Sequence, residues 1–302
     1  MSSRDSSREL FNFLESDLAI KVLRRRKPIL GAVPFVAYVG IFLGIPAGSV
    51  VLNAFRSQSG SFTLSNIHSA LSGGYRQSFI QSLKLSVIAT VIAAIAGLLV
   101  AVAVVGMKDG ALKRAIMAAS GVFANTGGVP LAFSFVATLG NFGLITKILL
   151  SGGVNIYSGG FTLYSVTGLV IVYQYFMIPL MVLVMIPPLE GLNSQWFEAA
   201  QTLGASWPTM WRSIVAPVIM PPFIAASLLL FTDAFAAYAT AAALTSGTIP
   251  LVPIQIGSLI QGNVVANQGN LGAALGLGMI VIVGVVAIAY VFVSRRSNRW
   301  LR

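Results

Sequence analysis

Six apolar runs, each about as long as a bilayer is thick, constrain this chain more than any other feature. They cover residues 30–54, 79–105, 115–139, 162–186, 218–244 and 271–293. A helix rising about 1.5 Å per residue needs about 20 apolar residues to cross a hydrocarbon core about 30 Å thick. No water is present there to pair backbone amides, so such a run must satisfy its own hydrogen bonds as a helix. The expected fold class is an all-α polytopic membrane protein with six transmembrane helices. Composition agrees, since 56% of the 302 residues are hydrophobic and only 9% are charged, against about 25% charged in a soluble domain. Asn125-Thr126-Gly127-Gly128-Val129-Pro130 interrupts the third run. Irregular backbone at that depth is tolerated only where protein or a wet cavity satisfies it.

The basic residues set the orientation. With the N-terminus inside, 15 of the 19 Lys and Arg fall on inside segments and 4 on outside segments. Lys and Arg accumulate on cytoplasmic loops, so both termini are expected in the cytoplasm. The net charge of +11 is then accounted for by anionic headgroups, which argues against nucleic acid as a partner. Three parts follow: a cytoplasmic segment 1–29, a membrane domain 30–293 that includes a cytoplasmic loop 187–217, and a basic tail 294–302. In the first part Leu10, Leu14, Leu18 and Val22 recur at helical spacing, as in an amphipathic helix lying on a membrane surface. A partly ordered tail is the alternative. The first 27 residues are polar and charged and do not read as a cleavable signal.

Several chemistries lack their residues. No Gly-x-x-x-x-Gly-Lys-Ser/Thr phosphate loop occurs, so this chain is not expected to hydrolyse ATP or to be an enzyme. Cysteine is absent and His68 is the single histidine, which leaves no metal-ligand spacing and no base for a nucleophile within a span. His68 sits in a polar connection and reads as a surface residue before it reads as a ligand or pH sensor. No cofactor or metal is expected.

The loop before the fifth run carries the most specific pattern. It reads Glu198-Ala199-Ala200-Gln201-Thr202-Leu203-Gly204, then nine residues from Ala205, then Ile214-Val215-Ala216-Pro217. Pro187-Pro188 is expected to end the fourth span. Asn193 or Ser194 can cap a helix through Trp196, Phe197 and Glu198 to about Leu203. Gly204 suits the left-handed turn that closes it. Ser206 can cap a second short helix with Trp207, Met210, Trp211 and Ile214, and Pro217 then opens the fifth span. Ala199 and Ala200 allow close approach of another protein, and the aromatic side chains invite a cover. An interfacial loop whose tryptophans anchor in headgroups explains the aromatics but not the spacing.

This spacing resembles the cytoplasmic EAA loop of the permease subunits of bacterial binding-protein-dependent ABC importers: Glu-Ala-Ala, three residues, Gly, nine residues, Ile-x-Leu-Pro. Six of the seven fixed positions match, with Ala216 in place of Leu. The resemblance covers roughly residue 30 to the C-terminus. It implies the six-helix importer permease fold in the bacterial inner membrane and a first loop helix that inserts into a cytoplasmic ABC ATPase. Glu198 would lie at the joint and Gly204 would set the angle. It also implies a second permease chain, more often a different one, and an extracytoplasmic solute-binding protein received by the loops 56–78, 140–161 and 245–270. The stretch Gly127–Phe133 through Leu139-Gly140-Asn141 and the run 235–245 look most like the spermidine/putrescine branch. Related permeases serve aminoalkylphosphonate, thiamine, ferric iron and other small solutes.

Cargo residues are less determined. Asp233 is the one clear ionisable residue inside a span, and such residues face a cavity or a partner. It could bind a cationic substrate with aromatic help, hydrogen-bond a neighbouring helix, or reach the outer interface. Tyr173, Tyr175, Phe176, Phe235, Tyr238 and Asn125 are the other pathway candidates, with helix packing as their alternative role. Two rival classes remain: a carrier that works without an ATPase, and a membrane scaffold that transports nothing.

Overall fold

A computed structural model describes residues 33–261 and 268–297. The proposed surface helix at 10–22 and most of the basic tail lie outside the described residues. The described secondary structure is helical apart from one isolated bridge between Arg56 and Phe62. The chain divides into two compact units, Met1–Asn53 and Ala54–Arg302. Helix α1, Val33–Ala54, supplies the described part of the first through residue 53, with a π-turn at Gly40–Gly44.

The second unit contains α2 (Ser65–Ala70), α3 (Gly73–Val105), α4 (Ala111–Ala124), α5 (Gly128–Leu139), α6 (Leu144–Ser151) and α7 (Val166–Glu190). Then follow α8 (Ser194–Thr202), α9 (Trp207–Ala236), α10 (Ala239–Thr245), α11 (Val252–Ile260) and α12 (Gly269–Ser297). Six helical segments are long and apolar enough to span a membrane: Val33–Ala54, Gly73–Val105, Gly128–Ser151, Val166–Glu190, Trp207–Ala236 and Gly269–Arg295.

The core forms mainly where α3 meets α7, with α9 against both. Tyr173, Leu169, Met177, Met181 and Met185 of α7 are fully enclosed, as are Leu85, Ala89 and Ala93 of α3. Large side chains on the opposite faces, such as Val91, Ile95 and Leu99, are exposed. That inversion suits a lipid solvent. The expected outer loop 245–270 contains α11, and the Val252 amide donates to Ser82 Oγ at 2.9 Å.

Four boundaries differ from the expected ones, the first being that the fifth run 218–244 is broken at Ala237–Tyr238. The third apolar run is not one helix: α4 ends at Ala124 and α5 begins at Gly128, while α6 adds a helix within the expected outer loop 140–161. Pro187 and Pro188 do not end the fourth span. The helix continues to Glu190, because proline's fixed φ near −65° is itself helical and the Gly191 amide closes on the Pro187 carbonyl at 3.0 Å. Pro217 does not start a separate helix either. Residues 207–236 are continuous, and a π-turn at Trp211–Val215 just upstream takes up the irregularity.

Candidate functional site

The loop between α7 and α9 folds as a helix, a glycine turn and a second helix. Asn193 caps α8 by accepting from the Gln195 amide at 2.9 Å. Gly204 has φ of +73°, a conformation costing an ordinary residue about 1–2 kcal/mol. The amides of Gly204 and Ala205 return to the carbonyls of Gln201 and Ala200, so the α8 carbonyls are satisfied at the turn. Ser206 occupies the position before α9, but its hydroxyl pairs with Thr209 Oγ1 at 2.8 Å and does not cap the helix.

The four aromatics divide between two directions. Phe197 and Trp211 pack on the chain's own core. Trp196 and Trp207 are 39% and 66% exposed, and Leu203 is 86% exposed. Trp207 leans on Trp211 with ring centroids 5.3 Å apart. Ala200 is buried beneath α8, whereas Ala199 and Glu198 are exposed on its outer side. Ala200 thus lets α8 sit close to its own chain, and Ala199 is the alanine left free for an outside contact.

Lys113, in the first turn of α4, lies 3.2 Å from Glu190 Oε1 at the end of α7 and 3.0 Å from Asp109 Oδ1. The hydrogen bonds it donates to Asp109 and then Glu190 hold its ammonium above the ordinary lysine range. Its i,i+4 spacing from Asp109 is visible in the sequence, but its approach to Glu190 is not.

At the far end of α4 two helix breaks lie side by side. The first spans Asn125–Gly127, and Gly128 follows with φ of +78°. The second separates α9 from α10 at Ala237–Tyr238. Thr240, only 3% exposed, joins them across 112 residues: its hydroxyl accepts from the Gly128 amide at 2.8 Å and donates to the Gly128 carbonyl at 3.3 Å. The Tyr173 hydroxyl donates to the Ala237 carbonyl at 3.1 Å. Side chains therefore satisfy backbone groups at both breaks, as burial in lipid requires.

The pathway candidates separate into two groups. Tyr173, Phe176 and Phe235 are buried; Tyr173 tilts against Phe176, and Phe235 stacks on Phe231. Tyr175 is half-buried between Phe123 and Phe135. Asp233, Tyr238 and Asn125 are exposed. The Asn125 amide is turned back onto the Gly121 carbonyl, while Asp233 makes no hydrogen bond or ion pair among the described residues. A shallow crevice beside Tyr173, lined by Ser82, Ser86, Phe235 and Leu251, is too tight to admit even a water-sized molecule.

This arrangement is the fold of ABC importer permeases. It superposes on a bacterial alginate ABC transporter, solved with an alginate pentasaccharide-bound periplasmic protein, with a TM-score of 0.69 at 16% identity, covering 91% of this chain and 96% of the other. By sequence the chain is 24% identical over 163 residues to the spermidine/putrescine transport system permease protein PotC of Haemophilus influenzae, covering 52% of this chain and 62% of that one. It is 28% identical over 268 residues to a probable ABC transporter permease protein, y4fN, of Sinorhizobium fredii, covering 87% of this chain and 43% of the relative. The matched portions thus span 62% and 43% of the lengths of these two relatives. No family model matches.

Proposed function

We propose that this chain is the permease subunit of an ATP-driven importer and forms half of the pathway for a small solute. The observation that carries this reading is the α8–Gly204–α9 loop. It is capped, packs on its own core through Phe197 and Trp211, buries Ala200, and leaves Trp196, Glu198, Ala199, Leu203 and Trp207 outward. That is a surface for another protein to grip. A separate ABC ATPase pair supplies hydrolysis and docks there. The basic bias puts this loop and both termini in the cytoplasm. A solute-binding protein loads the opposite face, and a second permease chain completes the pore.

The cargo proposed is a small organic cation of the polyamine type. Similarity to spermidine/putrescine permeases supports it. Asp233 supports it as well: an exposed carboxylate within a span costs about 2.5–3.5 kcal/mol or more at the bilayer centre unless a wet pathway or another subunit receives it. ATP closes the ATPase pair, α8 transmits that motion to the spans, and the pore changes facing by differential nucleotide affinity. Reconstitution with the ATPase and binding protein tests the reading: spermidine-loaded binding protein should stimulate hydrolysis and uptake. Uptake by this chain alone under an ion gradient would favour a carrier, and stimulation by another solute would retain the permease and replace the cargo.

A further inference from the structure

Carboxylates are scarce in this chain, and their placement is informative. Among the described residues they are Asp109, Glu190, Glu198 and Asp233, and two of the four converge on Lys113. The Lys113 side chain is only 14% exposed, so its stem is packed while its ammonium meets both acids. The Asp109 pair is local, with an acid 96% exposed, and such pairs contribute little. The Glu190 pair is different in kind, because it joins the first turn of α4 to the last residue of α7. A cation there also complements the carbonyl end of α7.

What lies on either side gives this contact its meaning. Only Gly191, Leu192 and Asn193 separate Glu190 from α8. The Gly191 and Leu192 amides return to the Pro187 and Leu189 carbonyls, and Asn193 caps α8, so the connection has no slack. On the other side α4 runs without interruption to the break at Asn125, which Gly128 and Thr240 link to α10. We propose that Lys113 is a positioning residue that ties the root of α8 to α4, so that a partner displacing α8 moves α4 and the break at its far end. This rests on the reading that α8 is the docking helix. It supplies a second route from that helix to the membrane interior, beside the direct continuation into α9.

The absence of cysteine makes a spin-label test direct in the full chain in lipid nanodiscs. One pair, Leu112→Cys with Gln201→Cys at exposed positions, reports α4 against α8. Lys113→Met should lower the ratio of near to far distances by roughly two- to fivefold, and Lys113→Arg should preserve it. Glu190→Gln should act like Lys113→Met, and the double variant should be no worse than either single one. An unchanged distribution in Lys113→Met, or additive effects, would overturn the tie. If Lys113→Met does not fold, the milder Glu190→Gln decides alone. A second pair, Val122→Cys with Val129→Cys, straddles the break at exposed positions. With the ATPase subunit, ATP and vanadate, it should shift in the wild type and not in Lys113→Met; an equal shift in both would refute transmission through α4. If the wild-type chain binds no ATPase, the proposed function fails, while the first pair still decides whether Lys113 ties the two helices.

Discussion

Replacing Thr240 by Val tests whether the two helix breaks are held by one side chain. Valine keeps the volume and branching of threonine and removes its hydroxyl. The Gly128 amide, now paired at 2.8 Å, would then face a methyl group at a site only 3% exposed. Leaving a buried donor unpaired costs about 1–3 kcal/mol. Side-chain hydrogen bonds between membrane helices average about 0.6 and reach about 1.7 kcal/mol. This one replaces a backbone partner that the irregular segment cannot otherwise find, so the expected loss is about 1–2 kcal/mol. Equilibrium unfolding in mixed micelles titrated with SDS measures it on Thr240→Val, Thr240→Ser and wild type. Serine keeps the hydroxyl and loses one buried methyl, so it should fall only about 0.8 kcal/mol below wild type. A folded Thr240→Val variant within about 0.3 kcal/mol of wild type would refute the reasoning, because an orphaned amide at a half-buried break within the membrane domain should cost more than that.

Gly204→Asp should cost about 1–2 kcal/mol in the left-handed turn; combined with Glu198→Lys it should abolish stimulation of the ATPase by loaded binding protein while leaving the membrane helices intact by circular dichroism. Asp233→Asn should weaken spermidine uptake roughly tenfold, the scale of one charge-assisted hydrogen bond, and unchanged uptake would remove Asp233 from the cargo site. Cysteines introduced at Gln195 and Gln201 should react only with reagent supplied from the cytoplasmic side, and one at Asn155 only from outside; the reverse would invert the topology. Lys113 has a raised folded-state pKa, so its contribution is complete below the unfolded value of about 10.4 and is lost as pH rises through the folded value. The Leu112–Gln201 label distances should therefore be constant between about pH 6 and 9 and widen only in stronger alkali.

Part of this site is legible in the sequence, for identifiable reasons. The Gly204 turn and the Asn193 cap depend on backbone preferences within a few residues, and both occur at the expected places. The proline readings fail for an equally physical reason. Pro187-Pro188 and Pro217 look like boundaries, yet proline's φ is helical, and the chain continues as helix to Glu190 in one case and out of a π-turn in the other. The aromatics of the loop look equivalent in sequence, but packing sends Phe197 and Trp211 inward and leaves Trp196 and Trp207 out. Spacing along one helix does not say which neighbour covers which face.

Sequence alone determined the solvent, the number of spans and the helix–glycine–helix loop, because apolar run length, charge scarcity and a glycine's freedom at positive φ are local properties. Only the tertiary structure decided that the two broken helices share Thr240 and that Lys113 reaches Glu190. Those contacts join residues far apart in the chain. Both bring polar groups of different helices within hydrogen-bond reach, a condition that exists only once the helices have packed.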